Sequence, residues 1–393
     1  MYSADSLDNL LPDIIAWRRH LHTHPELGYE VHDTAAFIAG KLNEFGADEV
    51  ITGIGKTGVV GVIKGRQTSS GKVIGLRADM DALPITEASG VEWSSAVEGS
   101  MHACGHDGHT AMLLGAAQTL CHDRGFDGTV IVIFQPAEES GAGALAMIDD
   151  GLMERFGIQE VYGLHNMPDL PVGEFAIRSG ALMACADEFD IAVEGLGGHA
   201  AMPHLCIDTV VVASHIVIAL QTIASRTIDP TEPVVVSVTT LDVDGEAYNV
   251  IPQTVRMRGT LRAFSESVRL EAKQQLIHLA EKTAELYRAS ATVDYRDGYP
   301  ATINHDEQTR FAVNVASQCV GADKVNADTA PTMGAEDFSY MLNARAGAFI
   351  FMGNGKTAGL HHPEYDFNDD AIRVGCQYWL TLATSAMPLI TTP

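Results

Sequence analysis

GTVIVIFQPAEE, residues 128–139, is a run of β-branched and aromatic residues that breaks at Gln-Pro and ends in two adjacent carboxylates. A continuous apolar run of this length, bounded by glycine and proline, fits a strand buried on both faces. KVIGLRADMD (72–81) and EVYGLHNMP (160–168) repeat the design: an apolar run, then a polar turn. Helical patterns lie around them, TAAFIAGKLNEFG (34–46) ending at a glycine and HTAMLLGAAQTL (109–120). This alternation predicts an α/β domain with a largely parallel sheet.

The middle of the chain reads differently. DEFDIAVEG (187–195) alternates polar and apolar residues, as a strand with one wet face does, and the helical IDTVVVASHIVIALQTIASRT (207–227) follows. PVVVSVTTLDV and TVRMRGTLRAF then pattern as a strand pair, SESVRLEAKQQLIHLAEKTAELYRA as a helix and ATVDYRDG as a last strand. The order β-α-β-β-α-β is that of a ferredoxin-like unit. Signals of the first type return after it, with GAFIFMGNG (347–355) as another buried strand. The expectation is therefore a two-domain α/β protein. Residues 1–185 and 298–393 form a discontinuous domain, and residues 186–297 are inserted into it.

Length and composition support this: 393 residues exceed one typical core, and 46% hydrophobic with 19% charged residues suits a large buried interior. A formal net charge of -26 argues against nucleic acid or anionic membrane as partners. Six cysteines without a CxxC pair fit a reducing compartment. The first residues lack the basic segment and apolar run of a signal peptide, and no stretch approaches 18 uninterrupted apolar residues. The expected location is the cytoplasm.

The polar clusters share one edge. Asp79, Glu138 with Glu139, His165 and His361 each follow an apolar strand pattern, and in open α/β sheets the chemistry gathers at the carboxyl ends of strands. MHACGHDGHT (101–110) belongs with them. Its histidines 102, 106 and 109 have the spacing of one helical face. Against that, Gly105 and Gly108 should interrupt a helix, leaving Asp107 to cap the one that follows. On extended backbone Cys104 and His106 would then point the same way. A thiolate and an imidazole suit zinc or a similar borderline ion. With Glu139, His165 and His361 they make five ligand-type side chains, too many for one tetrahedral ion and suited to two ions sharing ligands. Glu138, beside them, has a separate use as general base.

HACGHDGHTAMLLGAA, FQPAEE, YGLHNMP, EGLGGHAAMPH, NVIPQTVRMRGTLR, MGAEDF and LHHPEYDFND together resemble the hippurate hydrolase and auxin-conjugate hydrolase branch of the aminoacylase and metallo-carboxypeptidase superfamily. The resemblance covers nearly the whole chain in order. It implies hydrolysis of the amide bond of N-acyl amino acids with two divalent metals, zinc or manganese first and cobalt or nickel next. It also implies an inserted domain that serves as lid and as the interface of a homodimer. Residue by residue, it assigns metal ligation to Cys104, His106, Glu139, His165 and, in the Leu-His-x-Pro motif, His361 rather than His362. Glu138 matches the general base, and His199 the lid histidine that stabilises the oxyanion. Asn249 and Arg262 match positions that hold the substrate carboxylate. Asp79 and Glu336 are expected to orient ligands or the base.

Two other classes compete: a thiol hydrolase using Cys104 with His106 or His109 as base, and a non-catalytic binding protein. The first leaves Glu138, Glu139, His165 and His361 without a purpose, and the second does not expect Glu138. A dipeptidase or carboxypeptidase with the same two-metal machinery is the nearer alternative. His20, His22 and His24 in RRHLHTHPELGYE (18–30) are read as structural or capping residues, and His102 and His109 as supporting ones.

Overall fold

A computed structural model describes residues 4–389 and divides the chain into two compact units. The first comprises Met1–Gly180, Ile303–Ala330 and Asp337–Pro393. Its eight-stranded sheet runs, in spatial order, Glu49–Ile54, Gly58–Lys64, Thr129–Gln135, Val73–Asp79, Glu160–Pro168, Ala346–Gly355, Phe175–Ala176 and Val325–Asn326. The four central strands are mutually parallel, and each is the apolar run identified in the sequence. Antiparallel pairing is confined to the flanks: the hairpin Glu49–Ile54 with Gly58–Lys64, the pairing of its second strand with Thr129–Gln135, and Phe175–Ala176 on Ala346–Gly355. Buried parallel strands lack a wet face and so show no alternation, which is why continuous runs mark them.

Strand Val73–Asp79 is the switch point. The chain adds Thr129–Gln135 on one side of it and Glu160–Pro168 on the other. In open α/β sheets ligands bind outside the carboxyl ends of the strands at such a point.

Helix His106–Asp123 begins earlier than the glycines suggested. Gly105, in the left-handed region at φ 87°, is the N-cap, and no side chain caps the helix. Asp107 lies inside the first turn, and Cys104 to His106 is not an extended segment. Gly108 is helical because a Cβ there would run into the Phe367 ring. A mid-helix glycine costs about 1 kcal/mol against alanine, and here close packing offsets it. Helix His32–Phe45 does end at the expected glycine, Gly46 at φ 79°.

The second unit is Ala181–Thr302 with Pro331–Glu336, wider than 186–297 on both sides. Backbone bonds between Ala184 and Thr332 and between Thr332 and Leu182 tie the returning segment into it. Its sheet is antiparallel, in the order Val234–Val243, Thr254–Ala263, Ala186–Glu194, Ser290–Tyr299. Helices Thr209–Thr222 and Glu266–Leu286 complete the element order β-α-β-β-α-β. Phe189, Ile191 and Val193 from the sheet pack with Ile216, Leu220, Ala272 and Leu276 from the helices. Asp208 and Ser265 cap these helices by accepting from Val210 and Val211, and from Val268. Among the described residues, Thr209–Thr227 is long and apolar enough by length and composition to cross a membrane. Its Val212, Ile216, Leu220 and Ile223 are committed to this core.

Candidate active site

The loops at the switch point carry the chemistry, and Asp81 organises them. Its Oδ1 accepts from the Glu138 amide at 3.0 Å and its Oδ2 from the Glu139 amide at 3.2 Å. The Asp81 carbonyl accepts from His106 Nδ1 at 2.8 Å. One residue thus sets the carboxylate pair and the tautomer of a neighbouring histidine. The Asp-x-Asp spacing of 79 and 81, at the end of an apolar strand, is the signal for it in the sequence. Ala137, just before the pair, sits at φ 54° and His361 at φ 63°. Non-glycine residues rarely occupy this region, and such conformations collect at functional sites. The His361 amide is held by the Ala103 carbonyl at 2.8 Å.

The five expected ligands converge. Ligand atoms of Cys104, Glu139 and His361 lie within 4.8 Å of one another, as do those of His106, Glu138 and Glu139. Cys104 Sγ is 3.4 Å from His165 Nε2, and His361 Nε2 is 3.2 Å from Glu139 Oε1. Asp79, His106, His109 and His165 form a third, fully buried group.

Hydrogen bonding sorts these histidines. His106 donates from Nδ1 to the Asp81 carbonyl, and His165 from Nδ1 to the Asn166 carbonyl at 2.6 Å. In each the Nε2 faces the cluster, where a bound ion would take the place of a proton, the arrangement metal-bound imidazoles adopt. His106 Nε2 is buried without a hydrogen-bond partner. His109 differs: Nδ1 bonds Asp79 Oδ1 at 2.6 Å and Nε2 accepts from the Asn166 amide at 2.9 Å, so neither nitrogen is left for an ion. His102 is buried, with neither ring nitrogen bonded, and burial pushes its pKa down to about 3, so it stays neutral.

The electrostatics favour a cation. Burial opposes charge on His106, yet Asp79, Asp81 and Glu139 overcome it and raise its pKa to about 10. Burial raises the Cys104 thiol well above its ordinary value, and the charges of Glu139, Glu138 and Asp79 raise it further. A protonated thiol among carboxylates, with His109 and His106 Nδ1 engaged elsewhere, is poorly equipped as a nucleophile. The same donors, one sulfur, three imidazole nitrogens and a carboxylate, fit zinc-like ions, and the unpartnered His106 Nε2 is what such an ion would satisfy.

Glu138 is buried and its Oε1 accepts from the Asp337 amide at 3.4 Å. Asp79 accepts from Arg77 Nη1 at 2.7 Å as well as from His109, and its Oδ2 lies 3.7 Å from His106 Nε2. Glu336 falls in the second unit, where its carbonyl accepts from Thr302 Oγ1 at 3.3 Å. His199 and Asn249 are brought together in that unit: Gly198–His199 pairs with Val250–Ile251, and the Asn249 carbonyl accepts from the Ala200 amide at 2.9 Å. Both are exposed. Arg262 is on a different sheet, in strand Thr254–Ala263, with its guanidinium on Thr260 Oγ1 and the Leu261 carbonyl. His22 was read as structural, and it is: Nδ1 meets Asp107 Oδ2 at 2.8 Å and Nε2 meets Glu87 Oε1 at 3.2 Å.

Gly105 yields a direct test of this packing. A Cβ there would meet Asn166 Nδ2 and Tyr365 Oη, and φ 87° is itself strained for alanine by about 1–2 kcal/mol. Gly105→Ala is expected to lose at least ~2 kcal/mol in urea unfolding. A variant as stable as the parent would contradict the packing described.

Known proteins place this geometry. The chain is 40% identical to an N-acetyl-L-cysteine deacetylase of Bacillus subtilis over 95% of its length and 88% of that protein's. It is 39% identical to a hippurate hydrolase of Campylobacter jejuni, covering 95% of this chain and 98% of that one. A crystal structure of a Bacillus subtilis protein described as a dinuclear metal-binding peptidase of the M20 family superposes with a TM-score of 0.84 at 36% identity, over 98% and 100% of the two chains. The model of peptidase family M20/M25/M40 matches residues 75–385. Most of both units, and every candidate ligand, falls within that match, and the chain belongs to peptidase family M20/M25/M40.

Proposed function

We propose that the protein hydrolyses the amide bond of N-acyl amino acids, releasing a carboxylic acid and a free amino acid, with two divalent metal ions held by Cys104, His106, Glu139, His165 and His361. The observation that carries the reading is their convergence beside a buried Glu138, with His106 Nε2 left unpartnered. The names of the related deacetylase and hippurate hydrolase agree with the substrate class.

Bound ions supply Lewis acidity, meaning an acidified water and a polarised acyl carbonyl. The protein's own residues do the rest. Glu139, close to Cys104 and His361 and also to His106, would hold the ions together with those residues and His165. Glu138 takes the water proton on its carboxylate and returns it to the departing amine nitrogen. Asp81 holds its backbone in register for that transfer. His199 stabilises the developing oxyanion, and Asn249 and Arg262 bind the carboxylate of the amino acid product. The second unit acts as lid and as the contact with a second copy of the chain. Zinc or manganese fits the donor set first, cobalt or nickel next.

The test is hydrolysis of N-acetyl amino acids, N-benzoyl amino acids and dipeptides by chelated and metal-reconstituted protein. Chelation is expected to abolish release of amino acid from the acylated substrates, and added metal to restore it. Activity that survives chelation, or no release from any substrate after reconstitution, would overturn the proposal.

A further inference from the structure

Asn166 has no part in the chemistry above, yet every polar atom it owns is engaged. Its Nδ2 donates to the Cys104 carbonyl at 2.6 Å and faces His109 Nε2 at 3.1 Å. Its Oδ1 accepts from Tyr365 Oη at 2.7 Å. Its amide donates to His109 Nε2 at 2.9 Å, and its carbonyl accepts from His165 Nδ1 at 2.6 Å. The connection continues through His109 to Asp79 and from Asp79 to Arg77. Arg77, Asp79, His109, Asn166 and Tyr365 are all at most 2% exposed.

We infer that Asn166 is a positioning residue that locks Cys104 and His165 at ion-binding distance from one another. The inference rests on the proposed metal ligation. The two side chains come from segments 61 residues apart, and Sγ and Nε2 are nevertheless 3.4 Å apart. Asn166 touches both segments: its side chain holds the Cys104 carbonyl, and its main chain fixes the His165 tautomer. Gly105 closes the arrangement, since the space its Cβ would need is occupied by Asn166 Nδ2 and Tyr365 Oη. Only an amide does this. Aspartate would set an acceptor against the Cys104 carbonyl, and leucine would strand that carbonyl and the Tyr365 hydroxyl.

The test uses the full-length protein stripped of metal and titrated with Co²⁺, reading affinity by chelator competition and the thiolate-to-cobalt absorption band by spectroscopy. Asn166→Ala is expected to weaken Co²⁺ binding about 10–100-fold and to diminish or shift the band. Its kcat should recover at saturating Co²⁺ and its KM stay unchanged. Tyr365→Phe, which removes only the bond to Oδ1, should move both readouts in the same direction by less. Parental Co²⁺ affinity and band in Asn166→Ala, with only the unfolding temperature lowered, would overturn the inference. If Asn166→Ala does not fold, an unchanged Tyr365→Phe overturns it instead. Cys104→Ala separates the two layers. If the parent protein shows no thiolate band that Cys104→Ala abolishes, the ligation reading itself fails and the inference falls with it. A normal parental band beside a normal Asn166→Ala removes the Asn166 inference alone.

Discussion

Glu138→Gln is expected to keep its metal content and lose about 10²–10⁴-fold in kcat, the range general acid–base groups contribute. Position is what sets Glu138 apart. Glu138 and Glu139 are adjacent, both amides are pinned by Asp81, and of the two it is Glu139 that lies with Cys104 and His361. Glutamine preserves shape and burial but cannot accept and return a proton. Metal analysis beside steady-state kinetics reads both halves of the expectation. A variant that loses metal and activity together would make Glu138 a ligand. One with near-parental kcat would remove it from the chemistry.

Asp107→Ala is expected to cost about 3 kcal/mol, because it removes the nearer of the two carboxylates facing buried His22 and leaves buried Arg18 with Asp369 alone at close range. His22 Nδ1 is 2.8 Å and Arg18 Nη1 3.5 Å from Asp107 Oδ2, and all three side chains are fully buried. Burial opposes charge on His22, but Asp107 and then Glu87 prevail and raise its pKa to about 9. Burial likewise opposes charge on Asp107, and His22 foremost, with Arg18, holds it well below the ordinary carboxylate range. The signs follow. A histidine raised in the folded state contributes fully below its unfolded value near 6.5, and that contribution disappears as pH climbs through 9. The depressed carboxylate contributes above its ordinary value and loses that only in acid. Between pH 6.5 and 9 the parent should therefore lose up to about 3 kcal/mol from His22, while Asp107→Ala shows a flatter profile. Urea unfolding of both proteins at pH 6 and pH 9 measures the difference. Parallel profiles would show that the pair does not govern stability in that window.

Much of this was legible in the residues. VIVIF, VIGLRA and GAFIFMG had to be interior strands because nothing in them faces water, and the polar residues that follow had to meet at one edge. The resemblance of the motifs then separated the candidate base from the candidate ligands. The helix start departs from the sequence expectation because glycine propensity is local and its packing is not: position 108 is glycine to admit Phe367, 259 positions away in the chain, and Gly105 rather than Asp107 begins the turn. Asp81 and Asn166 are hard to read from the sequence as positioning residues because their partners are mainly backbone amides and carbonyls, which every residue has.

The sequence by itself determined the α/β architecture with its inserted β-α-β-β-α-β segment, and which side chains could ligate or act as base, since periodicity and donor chemistry are local properties. Only the tertiary structure decided which histidines have a nitrogen to spare. His106 is freed by the Asp81 carbonyl and His165 by the Asn166 carbonyl, whereas His109 is consumed by Asp79 and Asn166 together. An imidazole has two nitrogens, and what each one meets in a dry interior is set by distant segments folded against it.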